Sequence, residues 1–352
     1  VRHGLVVGRF YPPHAGHHHL ISTAAAACAR VTVVVAPHSS ESIPLGLRLA
    51  WLRSVHAAEA HVRFVGHYDD HRIDYADPRV WDAHCALFAA AVDEPVDAVF
   101  TSEEYGDELA RRFGAVHVAV DPGRSAVPVS GTAVRADPVA NWAFLEPQVR
   151  RWFTRRVVVV GAESTGTTTL TRALAGQFAL RGGVWADTAW VPEFGRTYTE
   201  LKLAELRATH ADAEIDELRW TAADFDWIAA EQQAAEDLAA GTGSPVLFGD
   251  TNVLATRVWR ERYLGPGSHS SLPAPRADLY LLTSDVGVPF TDDGLRDGEH
   301  LRSWMTARFR DELNAQPVPW QELSGPYPQR LAAAVAATDR LLAAGWSLKQ
   351  PF

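Results

Sequence analysis

The chain has 352 residues, 47% of them hydrophobic and 22% charged, with a formal net charge of −10. That length suits two domains with a core each, and the composition is that of a soluble globular enzyme. The acidic balance argues against general binding to nucleic acid or to a membrane surface, both of which need basic patches. No apolar run reads as a membrane span. The chain passes at once into an apolar strand, so no signal peptide is expected. Cys28 and Cys85, the two cysteines, lie in apolar surroundings and read as free thiols of a cytoplasmic protein.

In chain order, the first half alternates apolar runs with amphipathic stretches. Strands are predicted at residues 5–7, 31–36, 62–65, 97–101 and 115–120, and helices at 17–30, 45–60, 78–92 and 105–113. Such β-α alternation implies a parallel sheet covered on both faces, with ligands at the carboxyl ends of the strands. Residues 137–154 read as a helical hinge. The pattern restarts with a strand at 157–160 and a helix from 168 to about 181. Helix at 218–240, strand at 245–249, helix at 253–263 and strand at 279–283 follow. Residues 265–275 read as an exposed loop, 287–302 as a mobile lid, and 331–344 as a closing amphipathic helix.

Directly after the first strand comes Gly8-Arg9-Phe10-Tyr11-Pro12-Pro13-His14-Ala15-Gly16-His17. A tight glycine turn lets the backbone approach a polyphosphate, and a helix beginning near His17 turns its N–H groups and positive end toward it. Imidazoles placed there can donate hydrogen bonds to a phosphate that gains charge in the transition state. No covalent nucleophile is needed when the attacking group is already a phosphate. His18 and His19 extend the run, but neighbours on a helix point in different directions, which speaks against a metal site. Much later, Val129-Ser130-Gly131-Thr132-Ala133-Val134-Arg135 offers a second anion clamp. An N-cap accounts for Ser130 or Thr132 alone; it does not account for Arg135 one turn on.

The second half opens with Val157-Val158-Val159-Val160 and then Gly161-Ala162-Glu163-Ser164-Thr165-Gly166-Thr167-Thr168. This is the frame of a P-loop, with Thr167 where the lysine belongs. Backbone N–H groups along Gly161, Ser164 and Gly166 would cradle phosphates, and Thr168 takes the magnesium position. Lys202 and Lys349 are the chain's only lysines. That bias toward arginine does not account for a threonine at a phosphate site.

The early H-x-G-H and late S-x-T-x-x-R resemble the nucleotidyltransferase superfamily. With a P-loop following, the chain is similar to the bifunctional NadR-type family, in which nicotinamide mononucleotide adenylyltransferase is fused to ribosylnicotinamide kinase. Arg48-Leu49-Ala50-Trp51-Leu52-Arg53, Ser102-Glu103-Glu104-Tyr105-Gly106 and Pro138 with Trp142 support the likeness, which covers nearly the whole chain. It implies an α/β fold of two doubly wound parallel-sheet domains: a Rossmann-like nucleotidyltransferase over 1–153 and a P-loop kinase-like domain over 154–352. Some family members carry an N-terminal helix-turn-helix domain; this sequence opens at the catalytic strand, so DNA binding is not implied.

The resemblance also assigns roles. His14, His17 and Arg135 would be catalytic, with His14 and His17 on the ATP phosphates. Gly8, Arg9, Phe10, Gly16, Ser130 and Thr132 would bind ATP, and Trp81 would stack on nicotinamide or serve as a core tryptophan. In the second domain Gly161, Ser164, Gly166, Thr167, Thr168, Arg296 and Arg330 would bind ATP. Glu193 and Arg196 would face the kinase substrate, and Thr168 with Asp250 would hold Mg2+. Asn252 stands where these kinases commonly carry a second acid. The implied reaction joins ATP and nicotinamide mononucleotide into NAD and pyrophosphate, with impaired phosphorylation of ribosylnicotinamide. Nicotinic acid mononucleotide as acceptor, and a regulatory protein sensing NAD or ATP, are the alternatives. The implied protein inserts in no membrane and can be a homo-oligomer.

Overall fold

Valine-rich runs make the central strands: residues 31–35 and 157–160 are buried on both faces, the pattern of parallel strands covered by helices. The computed structural model describes residues 1–268 and 272–349, so part of the loop expected over 265–275, residues 269–271, lies outside the described residues. The chain divides into one unit formed by Val1–Val149 with the residues from Trp346 on, and a second formed by Arg150–Gly345. No described helix is long and apolar enough to cross a membrane.

The first unit runs β1 (His3–Gly8), α1 (Ala15–Ala27), β2 (Arg30–Val35), α2 (Leu45–Val55), β3 (Val62–Gly66), α3 (Pro78–Ala89), β4 (Ala98–Thr101), α4 (Gly106–Phe113), β5 (Val116–Ala119) and α5 (Gly131–Ala136). Its five strands lie in the order β3-β2-β1-β4-β5, all parallel. Val6, Ile21, Val33 and Phe100 pack on one face of the sheet; Leu5, Val34, Trp81 and Leu109 pack on the other. The strand order reverses at β1, so the glycine turn after Gly8 leaves the sheet where such folds bind ligands.

Helix α6 (Pro147–Phe153) leads into the second unit, with β6 (Arg155–Gly161), α7 (Thr167–Ala179), β7 (Ala189–Val191), α8 (Phe194–Arg207) and α9 (Ala222–Thr242). Then come β8 (Val246–Asp250), α10 (Val253–Leu264), β9 (Leu279–Thr283), α11 (Arg302–Asn314), β10 (Trp320–Leu323) and α12 (Tyr327–Ala343). The order is β10-β9-β6-β8-β7, again all parallel, with the P-loop leaving the central strand.

Several expectations shift. Helix α1 starts at Ala15, two residues before His17, with His14 extended at its N-cap. The helix expected over 137–154 is broken. Asp137 already ends α5, a short 3-10 turn covers Trp142–Phe144, and α6 begins at Pro147, whose fixed φ suits a first turn and whose missing N–H forbids continuation from upstream. Strands β7 and β10, three and four residues long, carry no legible alternation, and α11 was not foreseen at all. Between Gly287 and Gly298, where a lid was expected, the described chain is turns and bends. Both cysteines are free, Cys28 buried and Cys85 half-buried.

Candidate active sites

A cavity of about 450 Å³ opens at the carboxyl end of β1. Its lining includes Gly8, Arg9, Phe10, His14, Gly16 and His17 from the first turn, and Ser130 and Thr132 from the start of α5. The two rings of His14 and His17 lie 3.8 Å apart, and Phe10 packs against His17 at 4.8 Å. Nδ1 of each imidazole is buried without a hydrogen-bond partner among the described residues. Burial, then the nearby charges of His18, Arg124 and Arg135, lowers His14 to about 3. Burial and its neighbour His14 hold His17 well below the ordinary histidine range. Burial thus disfavours the charged form of both rings, and each keeps a partnerless ring nitrogen beside a helix N-terminus, where an imidazole N–H would meet an anion.

Two glycines here stand where a side chain would be tight. A Cβ on Gly16 would sit 3.1 Å from the His14 ring, and one on Gly131 would sit 3.1 Å from Arg135 Nη1 and 3.2 Å from the Tyr11 carbonyl. Ser130 caps α5 by accepting from Ala133 N at 3.1 Å. Arg135 does not line the cavity; its Nη1 donates to Tyr11 O at 2.6 Å and its Nη2 to Thr132 Oγ1 at 3.2 Å. It braces the histidine turn against the α5 start.

Tyr11 is the pivot of that brace. Its hydroxyl accepts from Ser42 N at 3.0 Å and donates to Lys349 O at 2.8 Å, while Lys349 N donates to Ser42 Oγ at 2.9 Å. Its ring carries the guanidinium groups of Arg48 and Arg135 at 4.4 and 5.1 Å. Arg48 is wholly buried, pairs with Glu41 Oε2 at 2.5 Å and donates to the carbonyls of Ile43 and Arg9.

Trp81 lines the same cavity, although it is 7% exposed and its Nε1 donates to Tyr75 O at 3.1 Å. Tyr75, stacked on Tyr105 at 6.0 Å, was not foreseen; neither were Asp69 and His84 in the same wall. The run of histidines does not converge: His18 is held by His56 at 3.0 Å, while His19 is exposed.

In the second unit a cavity of about 120 Å³ is lined by Gly161, Ser164, Thr167, Thr168, Glu193, Arg196 and Arg296. Ser164 and Gly166 take left-handed backbone at φ 60° and 87°, the form that turns successive N–H groups inward. Thr168 Oγ1 donates to Asp250 Oδ2 at 2.5 Å, and Asp250 Oδ1 is buried without a partner among the described residues. Burial raises the Asp250 pKa, against hydrogen bonds from Thr168 and Thr167. Burial and the Asp250 charge push Glu193 up to about 8.

The basic residues divide. Arg296 reaches the loop through Ser164 Oγ at 3.2 Å and, with Arg196, pairs with Asp293. Arg330, expected on ATP, instead donates to the carbonyls of Gly325, Ser284 and Thr165, so it braces the P-loop from behind. Asn252 is also turned away: its Oδ1 caps Leu254 N at 3.0 Å and its Nδ2 donates to Tyr280 Oη at 3.0 Å. It serves as the N-cap of α10 rather than as a weakened acid in the pocket. Trp220, Trp259 and Tyr263 add an aromatic wall that was missed, although positions 259 and 263 share a helix face and gave that signal.

A family model described as an AAA domain matches residues 156–330. The trifunctional NAD biosynthesis/regulator protein NadR of Escherichia coli (strain K12) is 27% identical over 310 residues, 83% of this chain and 71% of that protein. NadR of Salmonella typhimurium matches with the same identity and coverage. A crystal structure of NadR in complex with NR superposes with a TM-score of 0.74 at 22% identity, covering 100% of this chain and 98% of the other. NadR in complex with NAD and AMP-PNP gives 0.72 at 21% identity, covering 99% and 98%. By sequence along most of its length and by fold along all of it, this chain is a homologue of the NadR proteins.

Proposed function

We propose that the first unit transfers the adenylyl group of ATP to nicotinamide mononucleotide, giving NAD and pyrophosphate. The observation that carries this reading is the pair of imidazoles, His14 and His17, whose buried Nδ1 atoms have no partner among the described residues, at a helix N-terminus in the cavity at the carboxyl end of β1. A phosphate oxygen of the mononucleotide attacks the α-phosphorus, the bond to the β-phosphate breaks, and pyrophosphate leaves. Ring N–H groups of His14 and His17 stabilise the charge that grows on the α-phosphoryl oxygens. The Gly8–Phe10 backbone walls the nucleotide, Ser130 and Thr132 hold the triphosphate from the α5 side, and Arg135 keeps the two clamps in register. Trp81 and Tyr75 seat the pyridine ring. ATP as donor, NAD as product and nicotinamide mononucleotide as acceptor accord with the relatives described as NAD biosynthesis proteins.

The second unit is proposed as a ribosylnicotinamide kinase whose phosphoryl transfer is impaired at Thr167. Its donor set suits Mg2+: a P-loop hydroxyl, Thr168, touches a buried carboxylate, Asp250, one oxygen of which is unused among the described residues. Bound there, the ion would neutralise charge on the β- and γ-phosphates. Glu193 and Arg196 face the substrate, and Arg296 reaches the loop from the segment expected to be a lid.

The test is pyrophosphate release from ATP with either mononucleotide. Release dependent on nicotinamide mononucleotide supports the reading. Release only with the nicotinic acid form transfers it to that acceptor, and release with neither leaves a sensor of NAD or ATP.

A further inference from the structure

One group of side chains in the first unit is left unused by that chemistry. The segment between β3 and α3 carries Asp69 and His71, and the second turn of α3 carries His84. Asp69 is 6% exposed, and each of its carboxylate oxygens faces one imidazole: Oδ1 lies 2.9 Å from His71 Nδ1 and Oδ2 lies 2.5 Å from His84 Nδ1. The two rings stand edge to face with centroids 5.6 Å apart. One donor atom from each of the three residues falls within 4.8 Å of the others, the only such histidine, cysteine and acid group among the described residues.

We propose that Asp69, His71 and His84 bind a divalent cation of borderline softness, such as zinc or cobalt. Two imidazoles and a carboxylate suit these ions, whereas magnesium and calcium prefer oxygen donors throughout. Ligands on one such ion lie about 2.0–2.2 Å from it, so a small rotation of each ring around the nearly fixed carboxylate closes the set. His71 is exposed, which leaves the site an entry path and an open coordination position. His84 Nε2 lies 3.2 Å from the Arg72 carbonyl, the outer partner that fixes the ring of a metal-bound histidine.

The location gives the ion a consequence. It ties the segment after β3 to α3, and that segment carries Tyr75, whose carbonyl holds Trp81 Nε1 and whose ring stacks on Tyr105 in the cavity wall. The bound cation therefore stiffens one wall of the cavity, whichever mononucleotide the cavity takes.

Cobalt(II) titrated into the full chain without nucleotide should give a visible absorption band that saturates at one equivalent, persists in excess magnesium and is bleached by zinc. His71→Ala removes an exposed ligand with little risk to folding, and Asp69→Asn removes the central one. Each should weaken cobalt binding by at least the roughly tenfold loss seen even for outer partners, while Asp250→Asn leaves the band in place. Cobalt affinity unchanged by both substitutions, a band lost in Asp250→Asn, or no stoichiometric binding at all would overturn the proposal and leave a proton-bridged cluster.

Discussion

Replacing Thr167 with lysine tests the reading of the P-loop. An ammonium at this position would stand about 4 Å from phosphate oxygens, worth about 4 kcal/mol at the effective dielectric of a protein surface. Two terms reduce that gain. The polar hydroxyl of Thr167 near Asp250 is lost, costing up to about 1 kcal/mol. Arg196 and Arg296 already line the pocket, so part of the charge is present, although both are engaged with Asp293. A net gain of about 2–3 kcal/mol in the transition state corresponds to roughly 30- to 150-fold in rate. The assay is phosphate transfer from γ-labelled ATP to ribosylnicotinamide by wild type and Thr167→Lys, with adenylyl transfer as the control for the first unit. Wild type working at ordinary kinase rates, with no gain in the variant, would refute the reasoning and make Arg296 the working cation. A folded but inactive variant would place the defect elsewhere. Asn252 would not be the place to look, since it is spent as a helix cap.

Three further outcomes follow from the geometry. His17→Ala should lower adenylyl transfer at least about a hundredfold, the scale of one lost transition-state donor, with thermal unfolding of the purified variant unchanged; near wild-type turnover would remove His17 from the mechanism. Arg48→Ala should destabilise the first unit by about 3 kcal/mol in denaturant unfolding, because it leaves the fully buried Glu41 carboxylate with only Arg9, 3.4 Å away, as a cationic partner; adding Glu41→Leu should recover part of the loss. Glu193 has a folded pKa of about 8, raised above its ordinary value of 4.5, so its contribution is intact below pH 4.5 and is lost as pH rises through about 8. Glu193→Gln should therefore stabilise the second unit at pH 9, by at most about 5 kcal/mol for that shift, and not at pH 4, as read by melting temperature; equal shifts at both pH values would count against a buried neutral carboxyl.

What the sequence disclosed depended on how local the signal was. The central strands were legible because each is a continuous apolar run, ended in β1 and β6 by a glycine turn, and the two phosphate loops because their residues are consecutive. Arg135 was singled out by spacing alone, and the fold turns it into a brace on Tyr11 across 124 residues. The role of Arg330 was not legible, since its three carbonyl partners come from separate loops. Asp69, His71 and His84 meet only because the segment after β3 folds onto α3, and no periodicity announces that. Asn252 misled because a motif position was read as a pocket position, whereas the preference of asparagine for helix N-caps decided its use.

The pairing of Lys349 with Tyr11 and Ser42 has a consequence for how the protein is made. N-terminal domains generally fold first as the chain is synthesised. Here the first unit is completed by residues from Trp346 onward, although its main body ends at Val149. Those residues emerge roughly 200 positions later, a delay of about 10–40 s at ~5–20 residues per second. Until then the Tyr11 hydroxyl has no Lys349 carbonyl to receive its proton, and the turn bearing His14 and His17 lacks its final tether. The nascent first unit thus waits, nearly assembled, for the segment around Lys349. A gene cut between the two units would leave it waiting permanently.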